Sequence, residues 1–401
     1  MKGPIELVRS GTFNGYRNLG PFYEWSEGKA YLVIDRIAFG DSEGAVLCYC
    51  NPPVHQVGNP GLDAYLEGLA LVSEKSKDLS FLVLYGSNDP VHAGGDLKES
   101  LTRLDQTLEA RKEKEAFNAS SEEIDRLFDW ADKRISKGVA LHGAVRDLAR
   151  NLRVVAVCGG GMRYGGSAEI PIMADYLVGD SRSGMCFSES MIGLIPGWGG
   201  VARALVKAGP MNAAFMAKTA KETKARDLLR MGIYNVVVDV PFSFPRKERT
   251  DDPEADKARY LDALAEHDHE TGLLVLPEGL RIATCPEEEI PLVRPEDRPA
   301  PPPEEEISRE TARRMEPENY AGLRGRPLKE VRDEIGRLGR PLAPQSIEAL
   351  DKLLGGVSAE SLDEKAFVRR EGEMDSRLYR DPRFRSGLIA TLGQKVADYR
   401  M

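Results

Sequence analysis

Two patterns of apolar positions alternate along the first half of the chain. Short runs of consecutive apolar residues predict buried strands, and segments whose apolar residues recur every three or four positions predict amphipathic helices. Gly61–Lys75 has the helical pattern and follows Asn59-Pro60, which is a good helix start. The predicted strands are Tyr31–Ile37, Gly44–Cys50, Phe81–Tyr85, Val154–Val157 and Tyr176–Val178. This alternation predicts an α/β fold with a mostly parallel sheet.

The composition changes in the second half of the chain. Cys285–Ser308 is dominated by Pro and Glu, and such a stretch buries too little apolar surface to form a core of its own. We therefore predict an extended, largely polyproline-like excursion across the surface. Helical patterns return after it, near Pro344, over Asp363–Tyr379, and from Asp381-Pro382 to about Tyr399.

These changes divide the chain into three predicted regions. The first is an α/β core over residues 1–240, with a charged helical insertion at about 105–150 whose run Glu109–Glu115 is typical of a solvated helix face. The second is the extended Pro/Glu-rich insertion over 241–335, and the third is a C-terminal helical oligomerisation region over 336–401.

Composition and charge exclude several classes of protein. Of the 401 residues, 41% are hydrophobic and 30% charged, which is typical of a soluble globular protein. Met1–Ser10 lacks the features of a signal peptide and no segment is apolar enough to span a bilayer, so we expect a cytoplasmic protein without membrane partners. The formal charge of −9 argues against a nucleic-acid binder. The five cysteines make no disulfide framework, and we predict that Cys48 and Cys50 are buried on one sheet face and that no metal is bound.

Candidate chemistry is concentrated in three glycine-rich motifs. The first is Val91-His-Ala-Gly-Gly-Asp-Leu97, where adjacent glycines expose backbone N–H groups. The second, Gly159-Gly-Gly-Met-Arg-Tyr-Gly-Gly-Ser-Ala-Glu169, follows a strand and precedes a helix, a position that directs N–H groups at an anionic ligand. It lacks the Lys-Ser/Thr ending of a P-loop and the spacing of a dinucleotide fingerprint. In the third, Phe187–Gly200, Glu189 precedes a Gly/Pro-rich turn that carries Trp198.

Taken in order, the three motifs resemble the signature of the enoyl-CoA hydratase/isomerase, or crotonase, family. The shared elements are Ala-Gly-Gly-Asp-Leu, then Gly-Gly-x-x-Glu, then Glu-x-x-x-Gly-x-x-Pro-Gly-x-Gly-Gly. The resemblance covers about Tyr31–Val240 and resumes at about Arg340–Tyr399. It implies a crotonase-like spiral core of ββα repeats followed by a C-terminal helical region.

The resemblance also implies the residues of an active site. It places the two oxyanion-hole N–H groups on Gly95 and Gly166, where they would stabilise the charge that develops on a thioester oxygen as the enolate forms. Glu169 and Glu189 match the two catalytic glutamates of the family's hydratases. One carboxylate would take a proton from water while the other supplies one to the α-carbon.

The same resemblance implies the ligands and partners. The substrate is an acyl-CoA thioester, so coenzyme A is part of the substrate and no separate cofactor is expected. Family members form trimers, often paired into hexamers, which we expect here as a homotrimer or a dimer of trimers. The residues expected to bind substrate are Ala93, Asp96, Leu97, Gly165 and Trp198. We interpret His92 as a loop residue near the first oxyanion donor. Arg163 and Tyr164 precede the second donor and could reach a polar acyl substituent, but surface exposure is the favoured interpretation. Pro171 is expected to remove one bond of its helix.

The reaction itself stays open between several alternatives. Syn addition of water to a 2-enoyl-CoA is favoured because both glutamates are present. The Gly-Met-Arg-x-Gly-Gly-x-x-Glu-Ile run is similar to that of ring-opening hydrolases of cyclic oxoacyl-CoA. The chain length is similar to that of 3-hydroxyacyl-CoA thioester hydrolases, although Gly197 stands where those have an acidic residue. Isomerisation of an enoyl-CoA and a non-catalytic scaffold role are the remaining alternatives.

Overall fold

The computed structural model describes residues 3–10, 13–116, 119–247 and 250–400. The chain divides into two compact units, each assembled from three separate segments. Unit 1 comprises Met1–Gly94, Leu141–Met185 and Glu222–Pro299, and unit 2 comprises Gly95–Ala140, Cys186–Lys221 and Ala300–Met401. The three regions predicted from composition stay predictions.

Unit 1 is built around a seven-stranded sheet. Its strands are β1 (Tyr16–Glu27), β2 (Ala30–Phe39), β3 (Ser42–Cys50), β4 (Phe81–Gly86), β6 (Arg153–Cys158), β8 (Tyr176–Asp180) and β11 (Val236–Val238), and they lie in that order across the sheet. β1, β2 and β3 pair antiparallel, and every pairing from β3 to β11 is parallel. The predicted α/β fold with a mostly parallel sheet is therefore confirmed.

A second, smaller sheet follows the glycine-rich motifs. It contains β5 (Val91–His92), β7 (Met162–Tyr164), β9 (Gly184–Cys186) and β10 (Thr223–Lys224), in the order β10-β9-β7-β5. β5 and β7 pair in parallel, so that His92 lies opposite Arg163. His92 is therefore a strand residue, and its interpretation as a loop residue was wrong.

Helices cover both faces of the large sheet. The helices of unit 1 are α1 (Pro4–Ser10), α2 (Asn59–Lys75), α6 (Gly166–Ile172), α9 (Ala225–Met231) and α10 (Pro253–Thr284). α10 lies close to the strands because it carries Gly279, where a Cβ would be only 2.2 Å from the side chain of Val157. On the strand β3, Cys48 and Cys50 are buried in the same apolar cluster, as predicted.

Unit 2 is helical. Its helices are α3 (Leu97–Ala116), α4 (Ser121–Asp125), α7 (Gly200–Ala208), α8 (Pro210–Thr219), α11 (Glu304–Met315), α12 (Arg332–Leu338), α13 (Pro344–Leu354), α14 (Glu364–Leu378) and α15 (Pro382–Leu392), with most of α5 (Asp129–Leu148). The predicted C-terminal helical region is confirmed. The last helix ends at Leu392, because Gln394 has a φ of 49° and the segment to Tyr399 is not helical.

The Pro/Glu-rich segment is extended only in part. Short 3₁₀ turns at Glu287–Glu289 and Pro295–Asp297 are separated by irregular chain, as the composition predicts. The prediction is wrong for Glu304–Ser308, which forms the first turn of α11. Three glutamates in that turn face the positive end of the helix dipole, and this charge arrangement stabilises a helix start. None of the helices in the described part of the chain is long and apolar enough to cross a membrane.

Candidate active site

Helix α6 begins within the second glycine-rich motif. Gly165 precedes the helix with φ 54° and ψ −131°, a backbone conformation that L side chains rarely adopt. Gly166 is the first helical residue, so its N–H is among those that have no carbonyl partner inside the helix. These N–H groups and the helix dipole favour negative charge at this end. The geometry suits the oxyanion-donor role predicted for Gly166.

Glu169 lies in the first turn of the same helix. Only 2% of the residue is exposed, and its N–H donates to the carbonyl of Gly165 at 3.0 Å. Pro171 lies inside this helix, as the sequence suggested, and the helix ends one residue later. The last turn tightens, since Met173 donates to Ile170 at 3.3 Å. A short, rigid turn therefore holds a buried carboxyl group close to the helix start.

The first motif is hydrogen-bonded to α6 within unit 1. The Ser167 hydroxyl donates to the carbonyl of Ala93, and the Ala93 N–H donates to Val54 at 2.7 Å. A Cβ at Gly94 would lie 3.0 Å from the backbone nitrogen of Gly166. Ala93, predicted to bind substrate, is thus a neighbour of the α6 start through its backbone.

Gly95, Asp96 and Leu97 belong to unit 2, where they start α3. The Asp96 Oδ1 accepts hydrogen bonds from the N–H groups of Lys98 and Glu99, both at 3.0 Å, so this carboxylate caps the helix. A Cβ at Gly95 would lie 2.4 Å from the Nη2 of Arg134, a buried side chain. Glycine at 95 therefore leaves room for that guanidinium. The predicted substrate contacts of these residues stay predictions.

Trp198 is buried in unit 2 against α5. A Cβ at Gly138 would lie 2.1 Å from the Cδ1 of the Trp198 indole, so the ring packs directly on this glycine. The Arg134 guanidinium lies 5.8 Å from the ring centroid. Trp198 is therefore packed in the interior of unit 2, and its expected contact with substrate stays a prediction.

Glu189 begins a single 3₁₀ turn, Glu189–Met191, in unit 2. The residue is 8% exposed, and its carbonyl accepts from the N–H groups of Ile192 and Leu194 at 2.9 and 3.0 Å. The adjacent Ser190 carbonyl accepts a hydrogen bond from the Ala343 N–H at 2.9 Å, and this bond connects the turn to the start of α13. Both predicted acids are therefore buried carboxyl groups on short helical turns.

The sequence did not predict a cavity in unit 1 that has both polar and apolar lining residues, which we call the Arg163 cavity. It has a volume of about 70 Å³. Its polar lining residues are Tyr49, His55, Tyr65, Tyr85, Ser87, His92, Arg163 and Ser167. The interpretation of Arg163 as a surface residue was wrong, because β7 directs this side chain into the interior and leaves only 6% of the residue exposed. The parallel pairing of β5 with β7 would have revealed the pair His92 and Arg163, but two such short strands have no periodic signal in the sequence.

Two buried histidines of the cavity differ in charge. His55 Nε2 lies 2.7 Å from Asp89 Oδ2. Burial lowers the pKa of His55, but the Asp89 carboxylate and the Cys50 thiol outweigh burial and raise this pKa to about 9. The His92 ring lies 5.1 Å from the His55 ring. Burial, together with the charges of Arg163 and His55, holds the pKa of His92 well below its ordinary value. At neutral pH we expect His55 to be charged and His92 to be neutral.

The part of the chain that carries the second and third motifs is similar to a known protein family. Residues 137–242 match the family model described as enoyl-CoA hydratase/isomerase. The fatty acid oxidation complex subunit alpha of Idiomarina loihiensis is 31% identical over 151 residues, which cover 36% of this chain and 21% of that protein. The corresponding protein of Psychrobacter cryohalolentis is 25% identical over 170 residues, which cover 41% of this chain and 20% of that protein. The chain thus spans about a fifth of the length of these relatives.

A solved structure extends the likeness to most of the chain. The enoyl-CoA hydratase from Rhodobacter sphaeroides has a TM-score of 0.51 and covers 87% of this chain and 86% of its own. At 15% sequence identity, this likeness shows the fold alone. It confirms the crotonase-like fold predicted from the three motifs. Among the described residues, no group of three or more His, Cys, Asp or Glu side chains is arranged to hold a metal ion.

Proposed function

Because residues 137–242 match the enoyl-CoA hydratase/isomerase family model, we propose that the chain is a crotonase-superfamily enzyme that converts acyl-CoA thioesters through an enolate. The reaction that we favour is the syn addition of water to a 2-enoyl-CoA. One observation carries this proposal. Glu169, a buried carboxyl group, lies one turn beyond Gly166, whose N–H begins a helix directly after a glycine of positive φ.

The start of α6 supplies the electrostatic part of the mechanism. As water adds to the β-carbon, negative charge moves to the thioester oxygen, and the N–H of Gly166 would donate a hydrogen bond to it. A fixed backbone donor stabilises this charge more than it stabilises the neutral ground state, so the barrier falls. The second donor in this proposal is the N–H of Gly95.

The two glutamates supply the proton transfers. In the proposed reaction one carboxylate removes a proton from water as the oxygen attacks the β-carbon, and the other, as the carboxylic acid, protonates the α-carbon. Low exposure supports both roles, because a carboxyl group removed from water exchanges its proton with the reacting groups and not with solvent. The proposed acids are Glu169 and Glu189.

Ring opening is a second candidate reaction, and the polar Arg163 cavity favours it over the remaining alternatives. An oxoacyl group carries an additional carbonyl oxygen, and Arg163, at this cavity, offers hydrogen-bond donors to such an atom. One carboxylate would activate water for attack on the ring carbonyl, and the bond between that carbonyl carbon and the α-carbon would break. The oxyanion donors would stabilise the thioester enolate that leaves, and the other carboxyl group would protonate its α-carbon.

The test is incubation of the protein with linear and cyclic enoyl-CoA and oxoacyl-CoA thioesters in water enriched with heavy oxygen, followed by mass spectrometry. Reversible gain of one water with CoA retained supports hydration, gain of one water with a new carboxylate indicates ring opening, and free CoA indicates thioester hydrolysis. Glu169→Gln and Glu189→Gln should each lower kcat by roughly 100-fold or more while KM changes little. If both variants retain full turnover, the paired-carboxylate mechanism is wrong.

A further inference from the structure

The Arg163 cavity contains a buried cation whose hydrogen bonds go only to neutral groups. Arg163 Nη1 donates to the carbonyl of Gly159 at 3.0 Å, and Nη2 donates to the carbonyl of Ser87 at 3.4 Å. Among the described residues, no carboxylate oxygen lies within 4.0 Å of this guanidinium. A buried charge without a counter-charge is costly, and a bound anion would offset that cost.

Asp89 and His92, two ionisable neighbours of the cavity, do not supply the missing negative charge. Asp89 lies 2.7 Å from His55, so this carboxylate is paired with a charged imidazole. His92, which lies opposite Arg163 in the sheet, adds no charge when neutral. Ser167, Tyr65 and Tyr85 also line the cavity together with apolar residues, and none of its lining residues is an aspartate or glutamate.

The size of the cavity limits its ligand. A volume of about 70 Å³ holds several water molecules or one small group, since one water needs roughly 10–15 Å³ on this measure. A guanidinium presents parallel N–H groups that match the two oxygens of a carboxylate. A single negative charge balances the single charge of Arg163, which favours a carboxylate over a doubly charged phosphate.

We propose that the Arg163 cavity binds a carboxylate group. Ser167, Ile170 and Pro171 form one of its walls, and they belong to α6, the helix that begins with Gly166 and carries Glu169. The carboxylate comes from one of two sources, the far end of the acyl group of the substrate or a free small carboxylate such as formate. The first source rests on the proposed function and restricts the substrate class to thioesters of dicarboxylic acids. The second source does not depend on it.

The substrate source is tested with two thioesters of equal chain length, glutaconyl-CoA, which ends in a carboxylate, and 2-pentenoyl-CoA, which ends in a methyl group. In Arg163→Met, kcat/KM for glutaconyl-CoA should fall about 10- to 100-fold, the effect of losing a charged hydrogen bond, while the value for 2-pentenoyl-CoA should change less than about 3-fold. Arg163→Lys keeps the positive charge but not the parallel N–H groups, so its kcat/KM for glutaconyl-CoA should lie between those of Arg163→Met and the wild type. Arg103→Met removes an exposed arginine of α3 and should leave both values unchanged.

The free-anion source is tested by thermal unfolding of the whole protein in sodium formate against sodium chloride of equal ionic strength. A rise in Tm with formate that is absent in Arg163→Met supports the site with a free carboxylate. If Arg163→Met does not fold, the wild-type protein and Arg163→Lys provide the comparison. The proposal is overturned if formate has no specific effect and the two thioesters respond equally to substitution of Arg163. If the protein still converts 2-pentenoyl-CoA in that case, the proposed function holds and only the carboxylate site is wrong. If the protein converts no thioester at all, the proposed function is wrong, and the formate experiment alone tests the carboxylate site.

Discussion

Gly94→Ala adds one methyl group next to the proposed oxyanion donor. The new Cβ would lie 2.8 Å from the carbonyl oxygen of Tyr164, 3.0 Å from the nitrogen of Gly166 and 3.2 Å from the Cα of Gly165. All three are backbone atoms, so the clash is relieved only when the α6 start and the segment of Gly94 move apart by a few tenths of an ångström. Gly94 has no positive φ, so alanine itself is not strained there, and the effect arises from contact alone.

The magnitude follows from these contacts. Overpacking of this kind costs about 1–3 kcal/mol of folding stability. Complete loss of an oxyanion donor lowers kcat roughly 100- to 1000-fold, and a displaced donor loses part of that effect, so we expect kcat to fall about 10- to 100-fold. KM should change little, because the donor acts mainly on the charge that develops in the transition state.

The assay is turnover of the thioester that the substrate panel identifies, measured well below the Tm of the variant so that unfolding does not lower the rate. The matched control is Gly143→Ala in α5, where an added Cβ meets no atom within 4 Å. It should leave kcat unchanged and stabilise the protein by about 0.5–1 kcal/mol, as alanine does in a helix interior. A folded Gly94→Ala enzyme with wild-type kcat would refute the assignment of Gly166 as a donor held by this contact.

Two other predictions concern stability. Burial raises the pKa of the Asp268 carboxyl to about 8, far above the value of about 3.9 in an unfolded chain, so the folded state binds more protons and stability falls as pH rises from about 4 to about 8. Asp268→Asn retains an oxygen acceptor for the Asn88 N–H, which lies 2.6 Å from Asp268 Oδ1 in the wild type. Between pH 5 and pH 8 the free energy of unfolding, measured with urea, should fall by about 4 kcal/mol less in this variant than in the wild type. Equal decreases in the two proteins would contradict this prediction. Gly138→Ala places a Cβ 2.1 Å from the Trp198 indole and should destabilise the protein by about 1–3 kcal/mol. The control is Gly336→Ala, whose Cβ meets no atom within 4 Å, and it should be neutral or slightly stabilising. Equal unfolding midpoints for the two variants would mean that the indole is not confined.

Much of the large sheet could be predicted from the sequence, because its central strands are continuous apolar runs. β3, β4 and β6 are buried on both faces, and their predicted cores lie inside the observed strands. β1 was missed, since it lies at the edge of the sheet, contains Pro21 and is exposed at many positions. The four strands of the small sheet are two or three residues long, which is too short for any periodicity to show.

Local backbone geometry can be predicted from the sequence without knowledge of the fold. A glycine-rich turn that follows a strand and precedes a helix specifies a start such as Gly165-Gly166, and Glu169 in the first turn follows from spacing along one segment. These features depend on residues that are neighbours in the chain, so a motif is sufficient to predict them.

The contacts between distant residues depend on the fold. His55, His92 and Arg163 lie far apart in the sequence, and they share one cavity only because the strands that carry or precede them lie side by side in the two sheets of unit 1. Whether a polar side chain is buried also depends on the faces that the sheets cover, and for this reason Arg163 looks like a surface residue in sequence but is enclosed in the fold. The pairing of strands is a long-range property, and no spacing within a single segment encodes it.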